Sequence, residues 1–261
     1  IPNAAATRTF SFEVIHKLFG GIEWSPGFYY IPPSHGESIL TGRAYFAIDA
    51  ATDPYAPPQP GAHGAKLIPF VRLNKDEDDP DDDAIVNTPV FVRASTFAKN
   101  AGKNEHEYIY FGMYSQERFS DRLDYDRMVE AVPNNVKMHW AEQLADIGRP
   151  AWVTEELMKH FWKKPEFEGD LADAADASPK DETSTTAGAA EEYMDELKEW
   201  ESEAKMKVGM MKKETILQAF ENADSDDPAG LRLWWEYLQC TTYDEGFYNM
   251  LVTEQERLRK R

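Results

Sequence analysis

Cysteine is almost missing from this chain of 261 residues: Cys240 stands alone. One thiol excludes an internal disulfide framework and any zinc site built mainly on thiolates. A reducing compartment, nuclear or cytoplasmic, is expected. No apolar run reaches the roughly 18 residues that a membrane-spanning helix needs. The start, Ile1-Pro2-Asn3 followed by three alanines, lacks the charged stretch and apolar segment of a signal peptide. The chain is therefore expected to be intracellular, with no membrane contact.

The common catalytic signatures are missing too. There is no Gly-x-x-x-x-Gly-Lys-Ser/Thr phosphate loop, no Gly-x-Gly-x-x-Gly, no Gly-x-Ser-x-Gly and no His-Glu-x-x-His. The six histidines, at 16, 35, 63, 106, 139 and 160, never stand four apart as a helical metal pair would. No metal or cofactor is expected, and a binding role is favoured over catalysis.

What is present is aromatic and acidic. Seven Trp, twelve Tyr and fourteen Phe supply enough apolar surface for a large core. The net charge of −19 is unevenly spread. Asp76 to Asp83 carries seven acids and no base, and Pro165 to Met206 has a net charge of −11, which leaves −1 for the rest. The folded body is thus near neutral, neither strongly attracting nor strongly repelling nucleic acid.

Along the chain, a helix is expected over Ser11 to Phe19, stopped by Gly20-Gly21. Five strand-like segments follow, Phe28 to Ile31, Ala44 to Ile48, Lys66 to Leu73, Pro89 to Arg93 and Glu107 to Tyr114, parted by Pro and Gly clusters. Helical spacing then takes over. Val136, Trp140, Leu144 and Ile147 share one face, and Thr154 to Trp162 is a second helix. From Glu166 to about Ala190 the chain reads as a flexible acidic insertion. Helices resume at Tyr193, at Glu214 to Asn222, across Leu231, Trp234, Trp235 and Leu238 behind Pro228, and after a Thr242-x-x-Glu245 capping box. The tryptophan helix is expected to seal the core. The fold class is α+β: a small twisted antiparallel or mixed sheet or partial barrel of about five strands in the N-terminal half, packed by helices mostly from the C-terminal half. Residues 1–261 are read as a single domain, with 76–83 an acidic surface loop rather than a calcium loop.

Three places bear on function. His63 lies between Gly61 and Gly64 after a proline-rich stretch, where glycines permit a positive φ or close approach of a ligand or another backbone; a structural turn is the simpler reading. In Glu107 to Tyr114, strict alternation places Tyr108, Tyr110, Gly112 and Tyr114 on one face. That face is either a stacking platform for bases or a peptide, or a surface under a packed helix. Cys240, with Tyr243 and Asp244, precedes a helix start, the setting that activates a thiolate, although a small buried hydrophobe is the simpler reading.

The ordered set Phe19-Gly20-Gly21, Asp53-Pro-Tyr-Ala-Pro57, Pro60-Gly-Ala-His-Gly64, Pro89-Val-Phe-Val92, Tyr108-Ile-Tyr-Phe-Gly-Met-Tyr114, Val136-Lys-Met-His-Trp-Ala141 and Leu238-Gln-Cys-Thr-Thr-Tyr-Asp-Glu-Gly-Phe247 resembles a fungal domain of unknown function, the 6697 domain family. The resemblance implies one fungal, intracellular domain reaching from the first helix to the last, with the His63 loop and the Cys240 cluster inside the shared pattern. It brings no catalytic residue. The expectation is a non-catalytic binding or scaffolding module for a protein partner. The alternatives are a nucleic-acid or modified-base reader using the three tyrosines, and an enzyme using His63 with Cys240.

Overall fold

A computed structural model describes residues 8–70, 85–93, 107–116, 121–167 and 183–260, with the side chains of 183–189 left aside. The acidic run 76–83 and most of the 166–190 insertion lie outside the described residues. The chain divides into two compact units, Ile1–Trp140 with Arg232–Arg261, and Ala141–Leu231.

The first unit holds every described strand: β1 (Thr9–Ser11), β2 (Ile22–Ser25), β3 (Phe28–Tyr30), β4 (Ala44–Ile48), β5 (Gly64–Ile68), β6 (Thr88–Arg93), β7 (Glu107–Ser115), β8 (Asp121–Arg122) and β9 (Trp234–Thr242). Its helices are α1 (Phe12–Phe19), α2 (Tyr125–Ala131) and α7 (Glu245–Arg259), with α3 (Asn134–Ala145) included as far as Trp140. The strands form one sheet in the order β2-β3-β4-β6-β7-β9-β5, with β1 beside β7 and β8 beside β9. The β4–β6 pair is parallel and the other pairs are antiparallel. The fold is α+β with a curled mixed sheet forming a half-barrel, larger than the five strands expected.

The central strands read as continuous apolar runs because both their faces are covered. One face sends Phe46, Ile48, Val90, Val92, Ile109 and Phe111 into one cluster with Leu238. The opposite face sends Tyr45, Phe91 and Tyr110 into another, capped by Ile15 and Phe19 of α1 and Leu251 of α7. Ser11 accepts a hydrogen bond from the Val14 N–H and so caps α1. Asp244 caps α7 by accepting from the Phe247 N–H at 2.9 Å. The cap is therefore Asp244 and not Thr242, which is still strand.

Two sequence expectations are corrected in this unit. The segment Trp234–Thr242 is a strand, not a helix, because β5 and β7 give its backbone groups partners along its length. Trp234 and Trp235 are half-buried, while Glu236 and Leu238 point inward. The tryptophans therefore do not seal the core. The alternation along β7 also breaks. Phe111 has no partner on β6 where Val90 opposes Gly112 and Phe91 opposes Tyr110. Gly112 takes φ +128. This bulge swaps the faces beyond it, so Met113 joins Tyr108 and Tyr110, and Tyr114 joins Ile109 and Phe111.

The second unit is helical, with α4 (Ala151–Phe161), α5 (Thr183–Gly209) and α6 (Lys213–Glu221). The Arg149 guanidinium donates to the carbonyls of Leu144, Asp146 and Val208, at 3.1, 2.9 and 3.0 Å, and so ties helix ends together. The Trp200 indole N–H donates to the Trp162 carbonyl at 3.2 Å. α5 starts at Thr183, earlier than the expected loop end near Ala190, in keeping with the alanine content there. Ile147, expected on the buried stripe, lies past the end of α3 and is 88% exposed. Among the described residues no helix is long and apolar enough to cross a membrane.

A Cβ on Gly112 would lie 2.8 Å from the Thr242 carbonyl oxygen and 3.2 Å from the Cys240 sulfur. Gly112→Ala is predicted to lower stability by about 1–3 kcal/mol in denaturant titration. Gly209→Ala, where a Cβ meets nothing within 4 Å, is predicted to leave it unchanged or higher.

Candidate functional site

The proline-rich stretch ahead of β5 folds back along the mouth of the sheet. The Gly61 N–H donates to the Phe111 carbonyl at 2.9 Å, and the Ala65 N–H donates to the Tyr55 carbonyl at 2.7 Å. Gly61 takes φ +79. A Cβ on Gly64 would lie 2.4 Å from the Pro57 nitrogen, so glycine there permits one backbone to pass close by another. His63, exposed, accepts the backbone N–H of Cys240 on Nδ1 at 3.0 Å. The Tyr114 hydroxyl donates to the Ala62 carbonyl at 2.8 Å.

The His63 loop, Tyr114 and Cys240 therefore meet, but not as a nucleophile and its base. The Cys240 thiol donates to the Thr242 carbonyl at 3.6 Å, and burial pushes its pKa up against the opposing pull of the Tyr114 hydroxyl and of a backbone hydrogen bond from Thr242. An activated thiol needs the opposite shift. The imidazole nitrogen that faces Cys240 is occupied by a backbone donor, so it has no lone pair left for a thiol proton.

The tyrosines divide between the two faces. Tyr110 and Tyr114 are fully buried, and only Tyr108 is part-exposed. Tyr108 lies 6.0 Å from the ring of Phe12 on α1. The Tyr110 ring packs 5.1 Å from Tyr243, whose hydroxyl is pushed up to about 12 by burial. The three rings make no continuous stacking platform. Asp244, the third member of the Cys240 group, is spent as the α7 cap.

A denser polar centre lies midway along the β5–β9 pairing. Lys66 and Glu236 stand opposite each other in register. The Lys66 ammonium donates to Asp53 at 3.3 and 3.4 Å and sits 5.3 Å from the centroid of the Trp140 ring. The Lys66 and Asp53 side chains are 1% and 7% exposed. Asp53 has its pKa raised by burial, against the pull of Lys66, of His139 and of the Leu67 N–H. Glu236 is pushed up to about 7 by burial, with Lys66 opposing and Asp53 adding to the rise. The loop that carries Asp53 is pinned on both sides. Asn135 donates to the Ala51 carbonyl at 2.8 Å, and the Tyr55 hydroxyl donates to the Ala131 carbonyl at 2.5 Å.

A family model described as domain of unknown function DUF6697 matches residues 9–254. The chain belongs to that family. No curated protein and no solved structure matches it. The fold explains how the separate motifs of this DUF6697 chain come together. The Asp53-Pro-Tyr-Ala-Pro57 and Val136-Lys-Met-His-Trp-Ala141 pieces supply Asp53, His139 and Trp140 to the buried centre, while Lys66 and Glu236 come from outside the motifs. Sequence reasoning missed this centre. The signal that was there is a lysine between Ala65 and Leu67 in a strand otherwise apolar, and an acid amid Trp234, Trp235, Tyr237 and Leu238.

Removing the Lys66 ammonium leaves the buried Asp53 carboxyl without its ion-pair partner. Lys66→Met is predicted to cost about 3–5 kcal/mol. Adding Asp53→Asn is predicted to recover part of that loss, as read from chemical denaturation of the single and double variants.

Proposed function

We propose that this chain is a non-catalytic module that binds an extended segment of a protein partner, acting inside the cell, nuclear or cytoplasmic, and of fungal type. The observation that carries this reading is the β2–β3 hairpin at the end of the sheet. Among the described residues, β2 pairs with β3 and with no other strand, so its outer edge offers backbone donors and acceptors. Ile22 faces Tyr30 across the hairpin and is 46% exposed, and the Trp24 and Tyr30 rings contact edge-on with centroids 6.2 Å apart. Backbone pairing at an open edge gives affinity, and apolar and aromatic side chains beside it give selectivity.

The hairpin is held ready for this. Gly21 takes φ +95, and a Cβ there would lie 2.8 Å from the Tyr30 carbonyl oxygen. Glu23 accepts the Gly27 N–H at 3.0 Å across the turn. A preformed edge loses little conformational entropy when it binds. The near-neutral body gives a partner neither strong attraction nor strong repulsion. Burial of Tyr110 and Tyr114 removes most of the support for a base reader, and the Cys240 thiol geometry removes most of the support for an enzyme using His63.

Peptides selected from a random display library against the purified protein are predicted to protect the Ile22–Ser25 amides from hydrogen exchange. Ile22→Lys and Trp24→Glu are predicted to weaken binding at least tenfold with the melting transition kept. Protection elsewhere, or no selected peptide at all, contradicts the proposal. Salt-dependent oligonucleotide binding that Tyr108→Ala abolishes would favour the reader instead.

A further inference from the structure

We propose that the Asp53–Lys66–Glu236 centre is a proton-operated clasp that holds the Asp49-to-His63 loop against the sheet and loosens when the centre loses its proton. Lys66 pairs with Asp53, and the buried Glu236 stands opposite Lys66 in register, so full ionisation of the three leaves a net negative charge in the interior. A low-dielectric interior disfavours that state, and one proton restores balance.

The geometry assigns the proton. Asp53 takes the direct contacts to Lys66 at 3.3 and 3.4 Å and also accepts from the Leu67 N–H. Glu236 faces the same ammonium from β9 with Asp53 across from it, and is the group pushed up to about 7. The ionisable groups around Glu236 are Lys66 from β5 and Asp53 from the loop, and His139 of α3 acts on Asp53. Trp140 lies against the ammonium from α3. The loop meets the sheet through the Asp49–Arg93 ion pair to β6 and the Asp53–Lys66 ion pair to β5; the second lies within the centre, so a change there reaches the loop.

Linkage gives the direction. With the loop closed, Glu236 binds a proton until about pH 7. With the loop open and the group in water, it releases that proton near its ordinary value of 4.5. The closed loop therefore holds more protons between these values, and opening becomes easier by up to about tenfold per pH unit across that window, then levels off above it. Opening uncovers Lys66 and the Trp235 ring, which packs 4.8 Å from Tyr55.

The test is amide hydrogen exchange of the whole chain from pH 5 to 8.5 at fixed ionic strength, read at Ala51 to Ala56 and corrected for intrinsic rates. Wild-type protection is expected to fall at least thirtyfold between pH 5 and 7 and to stay level above about 7.5. Glu236→Gln is expected to abolish the fall. The His63 bond to Cys240 is present in both proteins, so their difference isolates Glu236. Wild-type protection independent of pH, or an undiminished slope in Glu236→Gln, overturns the proposal. Should Glu236→Gln not fold, carboxyl carbon spectra of glutamate-labelled wild type decide the matter. One glutamate titrating near 7 supports the clasp, and all glutamates titrating below about 5.5 overturns it.

Discussion

Strand β9 pairs with three strands, β5, β7 and β8, and the first unit depends on it. Its first half, Trp234 to Leu238, lies beside β5, and its second half, Gln239 to Thr242, lies beside the end of β7. Without it, β5 has no strand partner among the described residues. Every backbone donor and acceptor that the strand satisfies in the interior would otherwise be left without a partner, at about 1–3 kcal/mol apiece. The pairing also sets side-chain position. Lys66 meets Glu236 because of it, and Cys240 meets His63 and Tyr114 because of it.

The constellation that looks most like catalysis from composition makes hydrogen bonds within the fold. His63 terminates a backbone N–H, Tyr114 terminates a loop carbonyl, and Asp244 caps a helix. Groups spent this way have little capacity left for substrate. The unusual electrostatics lie instead midway along the same strand pair, where Lys66 is held between Asp53 of a loop and Trp140 of α3, with Glu236 opposite it. The β2–β3 hairpin, with Ile22 46% exposed, lies at the opposite margin of the sheet.

Much of the fold was legible where local signals and tertiary context agree. β4 spans Ala44–Ile48 as read from its apolar run, and α1 runs from the Ser11 cap to the Gly20 stop. β9 was not legible. Leu231, Trp234, Trp235 and Leu238 repeat every three or four residues as a helix face does, yet the bulky aromatics are equally at home in a strand, and pairing with β5 and β7 decides the outcome. The β7 bulge was hidden as well, because Gly112 reads as one more member of an alternating strand until its backbone is seen to turn. Tyr114 could not be placed without it. In the candidate site, the meeting of the His63 loop with Cys240 was foreshadowed by the glycines around His63. The Asp53–Lys66–Glu236 centre was not, since the three residues come from a loop and two strands and share no spacing.

The most direct test of this account is the set of proton–proton contacts around β9 in solution. Cross-strand contacts between Lys66 and Glu236, and between Tyr114 and Cys240, are the result the account predicts. Short-range contacts of helical type along Trp234 to Thr242, with no cross-strand contacts to β5, would contradict it.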